Sequence, residues 1–439
     1  MNKRRLILLT VIVILVAVVL FAGRWLRTYD LKAERAAARA AGIPLSESEN
    51  PLPAISAADD AVPLYDKLTA LREVEPPETK RPRPASEHRG GSPRVESTEE
   101  LRALITAKHE ILRVIHTAAA KPHARIDVAP ENNQLIPRLT SMRQAAIMIR
   151  WESELMAREG RYVEAVRNEA ISLRIANQCL EQQVLLTQLT SFAIEAIAMS
   201  GFRDLLEEAG ERPGVAEAVR DEVTSYRSNR DFSRFIAGET LDGLGTVRRI
   251  DHVRKVPAPQ AHPLWIPHAL GLHAATRGYF ADASEAVWLH WMTRYMAASR
   301  RPISERNDAI AQVDREFQEA TAATRERRMA APAFHFAMVR VRMFREVAGS
   351  ASGAATKRAV IATAASVLAY RARHGKYPAT LEQAGAPQPV DYQTNRPLEY
   401  KFNGNAFEIA AHPDTSGLEP ERARSLTESL RFQYPPGAK

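Results

Sequence analysis

Apolar positions recur at helical spacing over most of this chain, and the departures from that spacing mark its two ends. From Leu6 to Gly23 the run LILLTVIVILVAVVLFAG carries no charge and a single hydroxyl, Thr10. At roughly 1.5 Å per residue it reaches about 27 Å, close to the hydrocarbon thickness of a bilayer, so an N-terminal transmembrane helix is expected. Lys3, Arg4 and Arg5 before it, and Arg24, Trp25 and Arg27 after it, suit snorkelling cations and an interfacial aromatic. A cleaved signal peptide has the same basic head and apolar stretch. Cleavage after Ala22 would put Leu20 where a small residue belongs, so an uncleaved anchor is favoured.

Beyond the anchor, Leu31 to Ala41 should continue as helix until Gly42 and Pro44 stop it. The stretch from Pro76, PPETKRPRPASEHRGGSPR, has almost no apolar content and reads as a linker. Ser97 with Glu100 forms a capping-box signature, and Leu101, Leu104, Ile105, Ile111, Leu112 and Ile115 then follow at helical spacing. The clearest core runs from Leu135 to Glu208. Gly160 separates the stripe of Leu139, Met142, Ala146, Ile149 and Met156 from that of Tyr162, Val166, Leu173, Ala176 and Leu180, which predicts a helical hairpin. Gly160-Arg-Tyr162-Val-Glu164-Ala165 resembles the junction of tetratricopeptide repeats, but one such unit is visible and a solenoid needs about three. The next helix, Val184 to Leu206, is apolar on much of its surface, including Leu185, Leu186, Leu189 and Phe192, and is expected to lie centrally. Further helices are expected from Pro213, over Ala283 to Tyr295, and from Ile303 to Arg328.

Near the C-terminus the pattern changes. A helix with Val360, Ala364, Val367 and Leu368 on one face stops at Gly375, and Leu398 to Phe402 and Ala406 to Ala410 form a hairpin around Asn403-Gly404-Asn405. The fold class is therefore mainly α: an N-terminal transmembrane helix, a helical-hairpin body and a small C-terminal α+β module. The divisions expected are an anchor over 1–30, a juxtamembrane helical segment over 31–75, a linker over 76–96, a helical domain over 97–348, the α+β module over 354–415 and a tail over 416–439.

Within that module Gly375, Tyr377, Pro378 and Leu381, followed by Pro397-Leu398-Glu-Tyr400, resemble the G-x-Y-P pattern and hairpin in the globular part of type II secretion pseudopilins. The same module ends a group of bacterial membrane-anchored proteins with helical middles, to which no activity attaches. The resemblance implies a protein of the bacterial inner membrane, single-pass, with its bulk in the periplasm. The chain departs from pseudopilins in lacking the G-F-T-L-x-E processing motif and in separating its apolar helix from the module by several hundred residues. Asp391 and Asp414 are the nearest counterparts of the calcium-loop acids of some pseudopilins, short of the six to eight oxygens that calcium takes.

Composition adds limits rather than an activity. With 439 residues, 45% hydrophobic and 26% charged, the chain is neither wholly disordered nor polytopic. The net charge of +8 favours anionic surfaces in general, but its cations are scattered, so lipid and envelope proteins are the expected partners and nucleic acid is not. The single cysteine, Cys179, sits among apolar neighbours and reads as a buried hydrophobe. His262, His268, His273 and His290 concentrate in a segment rich in aromatics without the spacing of a zinc site. No catalytic residue, metal or cofactor is assigned. The candidates for a ligand or partner site are His268, His273, Glu239 and Trp265, and an enzyme would require the first three to converge. Glu195, on the apolar helix, is a second carboxylate expected to be buried. Gly349-Ser-Ala-Ser-Gly353 lacks serine at the nucleophile position of G-x-S-x-G. The expected function is an envelope scaffold or interaction protein. The alternatives are an accessory part of a secretion or pilus-like system and an enzyme with a His/Glu site.

Overall fold

A computed structural model of the protein describes residues 30–49, 54–74, 97–125, 135–182, 184–228, 231–252, 273–327, 331–386, 389–413 and 420–436. The expected anchor and linker lie outside them. The chain is mainly helical, with a small strand region near the C-terminus. It divides into two compact units, one made of residues 1–51, 239–300 and 310–342, the other of 52–238, 301–309 and 343–439.

The larger unit is built from helical hairpins. α2 (Val62–Val74) pairs with α4 (His109–Ala119), α5 (Leu135–Arg158) with α6 (Tyr162–Cys179), and α7 (Leu185–Ala209) with α8 (Val215–Ser225), while α3 (Thr98–Ala107) packs on α5. The capping box forms as expected, Ser97 Oγ accepting from Glu100 N at 3.1 Å and Glu100 Oε2 from Ser97 N at 3.3 Å. α3 and α4 are one amphipathic stretch broken at the buried Lys108.

Specific bonds fix how the hairpins stack. Arg138 of α5 grips Asp66 of α2, and Thr69 and Ser141 share a hydrogen bond one turn on, so these two leading helices run parallel. Arg150 of α5 pairs with Asp204 of α7 in turn. Among the return helices, Gln178 Nε2 of α6 donates to the carbonyl of Ala118 in α4 at 2.9 Å, and Tyr226 Oη, after α8, contacts Asn177 of α6. Leading helices thus lie beside leading helices and return helices beside return helices. The sequence showed one hairpin with a repeat-like junction, but its neighbours stack on it with different turns.

The C-terminal module belongs to the same core. α12 (Ala331–His374) is one helix that runs through residues 348 to 354, and the Gly349–Gly353 segment is helical. Its last turns lie along α7, Arg358 meeting Glu195 and Leu368 contacting Gly210. At Gly375 (φ 68°) the chain turns as it does at Gly160 (φ 81°), each glycine followed two residues later by an inward-packed tyrosine. Strands then stand where the earlier hairpins place a return helix. β1 (Val390–Asp391) pairs with β2 (Arg396–Pro397), and β3 (Glu399–Phe402), β4 (Phe407–Ala410) and β5 (Arg431–Tyr434) form an antiparallel sheet. β5 and α13 (Pro420–Ser429) come from residues read above as a tail. β5 pairs along the outer edge of β4 and buries Phe432 against Phe407, with centroids 5.9 Å apart.

In the smaller unit α1 (Leu31–Ala40) packs on α10 (His273–Ser299) through Arg35–Glu285 at 2.7 Å and Glu34–His290 at 3.1 Å. Gly42 takes φ 71° at the end of α1. α9 (Phe232–His252) contributes Gly243 and Leu244 here. Gly243 presents bare backbone to the Trp288 ring, whose Nε1 donates to the Thr240 carbonyl at 3.2 Å. α11 (Ile303–Arg327) brings Phe317 edge-on to Trp291, with centroids 5.1 Å apart.

Candidate functional site

His268 and Trp265 lie outside the described residues. His273 opens α10, and its side chain lies outside them too. Glu239 is buried on α9 beside Thr240. Pseudopilin-motif residues serve the packing of the C-terminal module: Tyr377 is buried between Phe402 and Phe407, Leu381 packs on the same core, and Tyr400 Oη donates to the Pro378 carbonyl at 2.8 Å. Pro397 pairs with Val390 at an exposed edge. Asp391 is fully buried, its oxygens accepting from Thr356 Oγ1, Gln393 N and Thr394 Oγ1, and it ties the β1 turn to α12. Asp414 lies outside the described residues. Among the described residues no group of three or more His, Cys, Asp and Glu is placed to hold a metal.

Spacing along the sequence did not bring out a polar seam that crosses the hairpin stack. His116 Nε2 of α4 lies 2.8 Å from Glu152 Oε2 of α5. Asn168 of α6 donates to that same oxygen at 3.0 Å and to Ser153 Oγ at 3.1 Å. Next along α6 is Glu169, which is fully buried; neither of its oxygens has a hydrogen bond of good geometry, and Ser153 and Arg150 are the donors that lean on it. Arg150 Nη1 is 3.7 Å away, while Arg150 Nη2 pairs with Asp204 of α7. Burial pushes the Glu169 carboxyl up to about 7, against the opposing pull of Arg150 and Ser153 and with a small push from Asp204. A carboxyl in this setting keeps its proton to higher pH than an exposed one, with a single guanidinium, that of Arg150, beside both it and Asp204. His109, seven residues before His116, is outside this seam. A sequence signal for Glu169 existed in principle, a carboxylate on the buried stripe of α6, yet nothing local marked it apart from the exposed acids around it.

Glu195 meets the expectation of a buried carboxylate, and Arg358 of α12 is its partner. Cys179 is fully buried with Met142 Sδ at 3.5 Å, and burial pushes its thiol far up, so it is not a nucleophile in this setting.

α7 has a reversed first half. Thr187, Gln188, Ser191 and Glu195 face the interior, whereas Leu186 is 44% and Leu189 38% exposed. Ile136, at the start of the parallel neighbour α5, is 65% exposed. α7 is also the one helix among the described residues long and apolar enough to cross a membrane, but half of that apolar window is buried inside the protein. It packs as the core helix between α5, α6 and α8.

No family model, curated protein or solved structure matches this chain.

Proposed function

We propose that the protein is a membrane-anchored scaffold or interaction protein of the bacterial envelope, and that the leading-helix face of its hairpin stack is the contact surface. The observation that carries this reading is the reversed polarity of α7. A surface helix of a globular body turns its apolar stripe inward. The first half of α7 instead leaves Leu186 and Leu189 part-exposed and hides four polar side chains, while its second half buries Met199, Phe202, Leu205 and Leu206 in the ordinary way. Fully burying a leucine is worth about 1.5 to 3 kcal/mol, and with 44% and 38% of these two still exposed a partner seated on them would gain about 0.6 to 1.3 kcal/mol from each. The apolar run Leu6–Gly23 with its basic flanks supports the anchor, and the Gly375-x-Tyr377-Pro378 module supports an accessory role beside a secretion or pilus-like system as the second reading.

Site-specific photo-crosslinking in cells tests the surface. A crosslinker at position 186 or 189 is expected to give discrete protein adducts that a control at Thr224 on α8 does not, and the adducts should vanish when the other leucine of the pair is replaced by Glu in a variant that stays folded. Equal labelling at 186, 189 and 224 sinks this reading. A reporter active only outside the cytoplasm, fused after Lys439, should be active, and a stable but inactive fusion would remove the envelope placement.

A further inference from the structure

Glu169 occupies the joint between the second hairpin and α7, and it is there because position 201 is glycine. A Cβ at Gly201 would lie 2.7 Å from Arg150 Nη1 and closer still to the Glu169 carboxyl carbon. The carboxyl is thus wedged against the α7 backbone with no hydrogen bond of good geometry to either oxygen and with Arg150 Nη1 at 3.7 Å. A buried carboxyl in that state is stable as the neutral acid, and once ionised it demands the guanidinium beside it. That guanidinium already serves Asp204, which is half exposed and can turn to water instead.

Charged groups from several helices surround this joint. α5 contributes Arg150, with Glu152 held by His116 of α4 and by Asn168. α7 contributes Asp204 together with Arg203, which acts on Asp204, pairs with Glu207 at 3.8 Å and donates to the Arg431 carbonyl; its buried carboxylate Glu195 pairs with Arg358. α8 faces α6 with Val215, Ala216 and Val219.

We infer that Arg150 is a two-position clasp: it ties α5 to α7 through Asp204 while Glu169 is neutral, and turns to Glu169 of α6 when that carboxyl ionises, releasing Asp204. The grip of α5 on α7 therefore changes with pH. This stands apart from the proposed contact surface, because it concerns the joint itself and needs no partner.

Amide hydrogen exchange of the full chain in detergent micelles, followed from pH 5.5 to 8.5 and corrected for the intrinsic rate, reads the joint directly. Exchange over residues 198–206 is expected to rise tenfold or more as the pH passes through about 7. E169Q should abolish that rise. D204N, a change at a half-exposed position, removes the tie at every pH, so exchange over residues 198–206 should already be high at pH 5.5 and stay level through pH 8.5. A flat wild-type profile, a pH response retained in E169Q, or a pH-dependent rise retained in D204N would each overturn the clasp.

Discussion

Replacing Gly243 with alanine tests the packing of the smaller unit, because two opposed effects of known size meet at that position. Alanine in a helix interior is favoured over glycine by about 1 kcal/mol, so α9 alone would be stabilised. At Gly243, however, a Cβ would sit 2.5 Å from Trp288 Cε2 and Nε1 and 2.6 Å from Cζ2. The Trp288 ring has 0% exposure, so it cannot yield into solvent. Forcing a methyl into a filled core costs about 1 to 3 kcal/mol. Displacing the ring also strains its Nε1–H bond to the Thr240 carbonyl, worth about 1 kcal/mol. The sum is a net loss of about 1 to 3 kcal/mol. Gly349 on α12 is the control, since nothing lies within 4 Å of its Cβ position, and Gly349→Ala should stabilise by about 0.5 to 1 kcal/mol. Urea unfolding of the full chain in detergent, followed by tryptophan fluorescence, should lower the midpoint for Gly243→Ala and raise it for Gly349→Ala. A Gly243→Ala protein as stable as wild type, or two variants shifting alike, would refute the reasoning.

Other outcomes follow from the polar groups of the larger unit. Folded Glu169 holds its proton to about 7 against an unfolded value near 4.5. Its stabilising contribution is therefore complete below about pH 4.5 and lost as the pH rises to about 7. The loss is about 3 kcal/mol, and urea midpoints of E169Q should lack that slope. Arg358→Met leaves Glu195 buried without its cation and should cost about 3 kcal/mol or more in the same assay, whereas an unchanged midpoint would mean the pair is idle. Cys179 should resist a thiol reagent in the native chain and react only on unfolding, and rapid native labelling would contradict its burial.

Much of the helical architecture is written locally. The Ser97–Glu100 box, the glycine turn at Gly160 and the stop at Gly375 act within a few residues of themselves, so short-range pattern reveals them. The Asn403-Gly404-Asn405 hairpin is of the same kind, its two strands meeting in register from Phe402 opposite Phe407. What the tertiary structure alone decided is where each face points. α7 is apolar nearly all round, so its periodicity could not say which side meets the core, and packing against α5 and α6 buried Thr187, Gln188 and Ser191 in place of Leu186 and Leu189. β5 was invisible because a short strand is specified by the β4 edge it joins rather than by its own four residues. The Glu169–Arg150–Asp204 set draws one residue from each of three helices and depends on a glycine in the third. No spacing along the chain encodes that, because each partner is fixed by the stacking of hairpins, which only long-range burial determines.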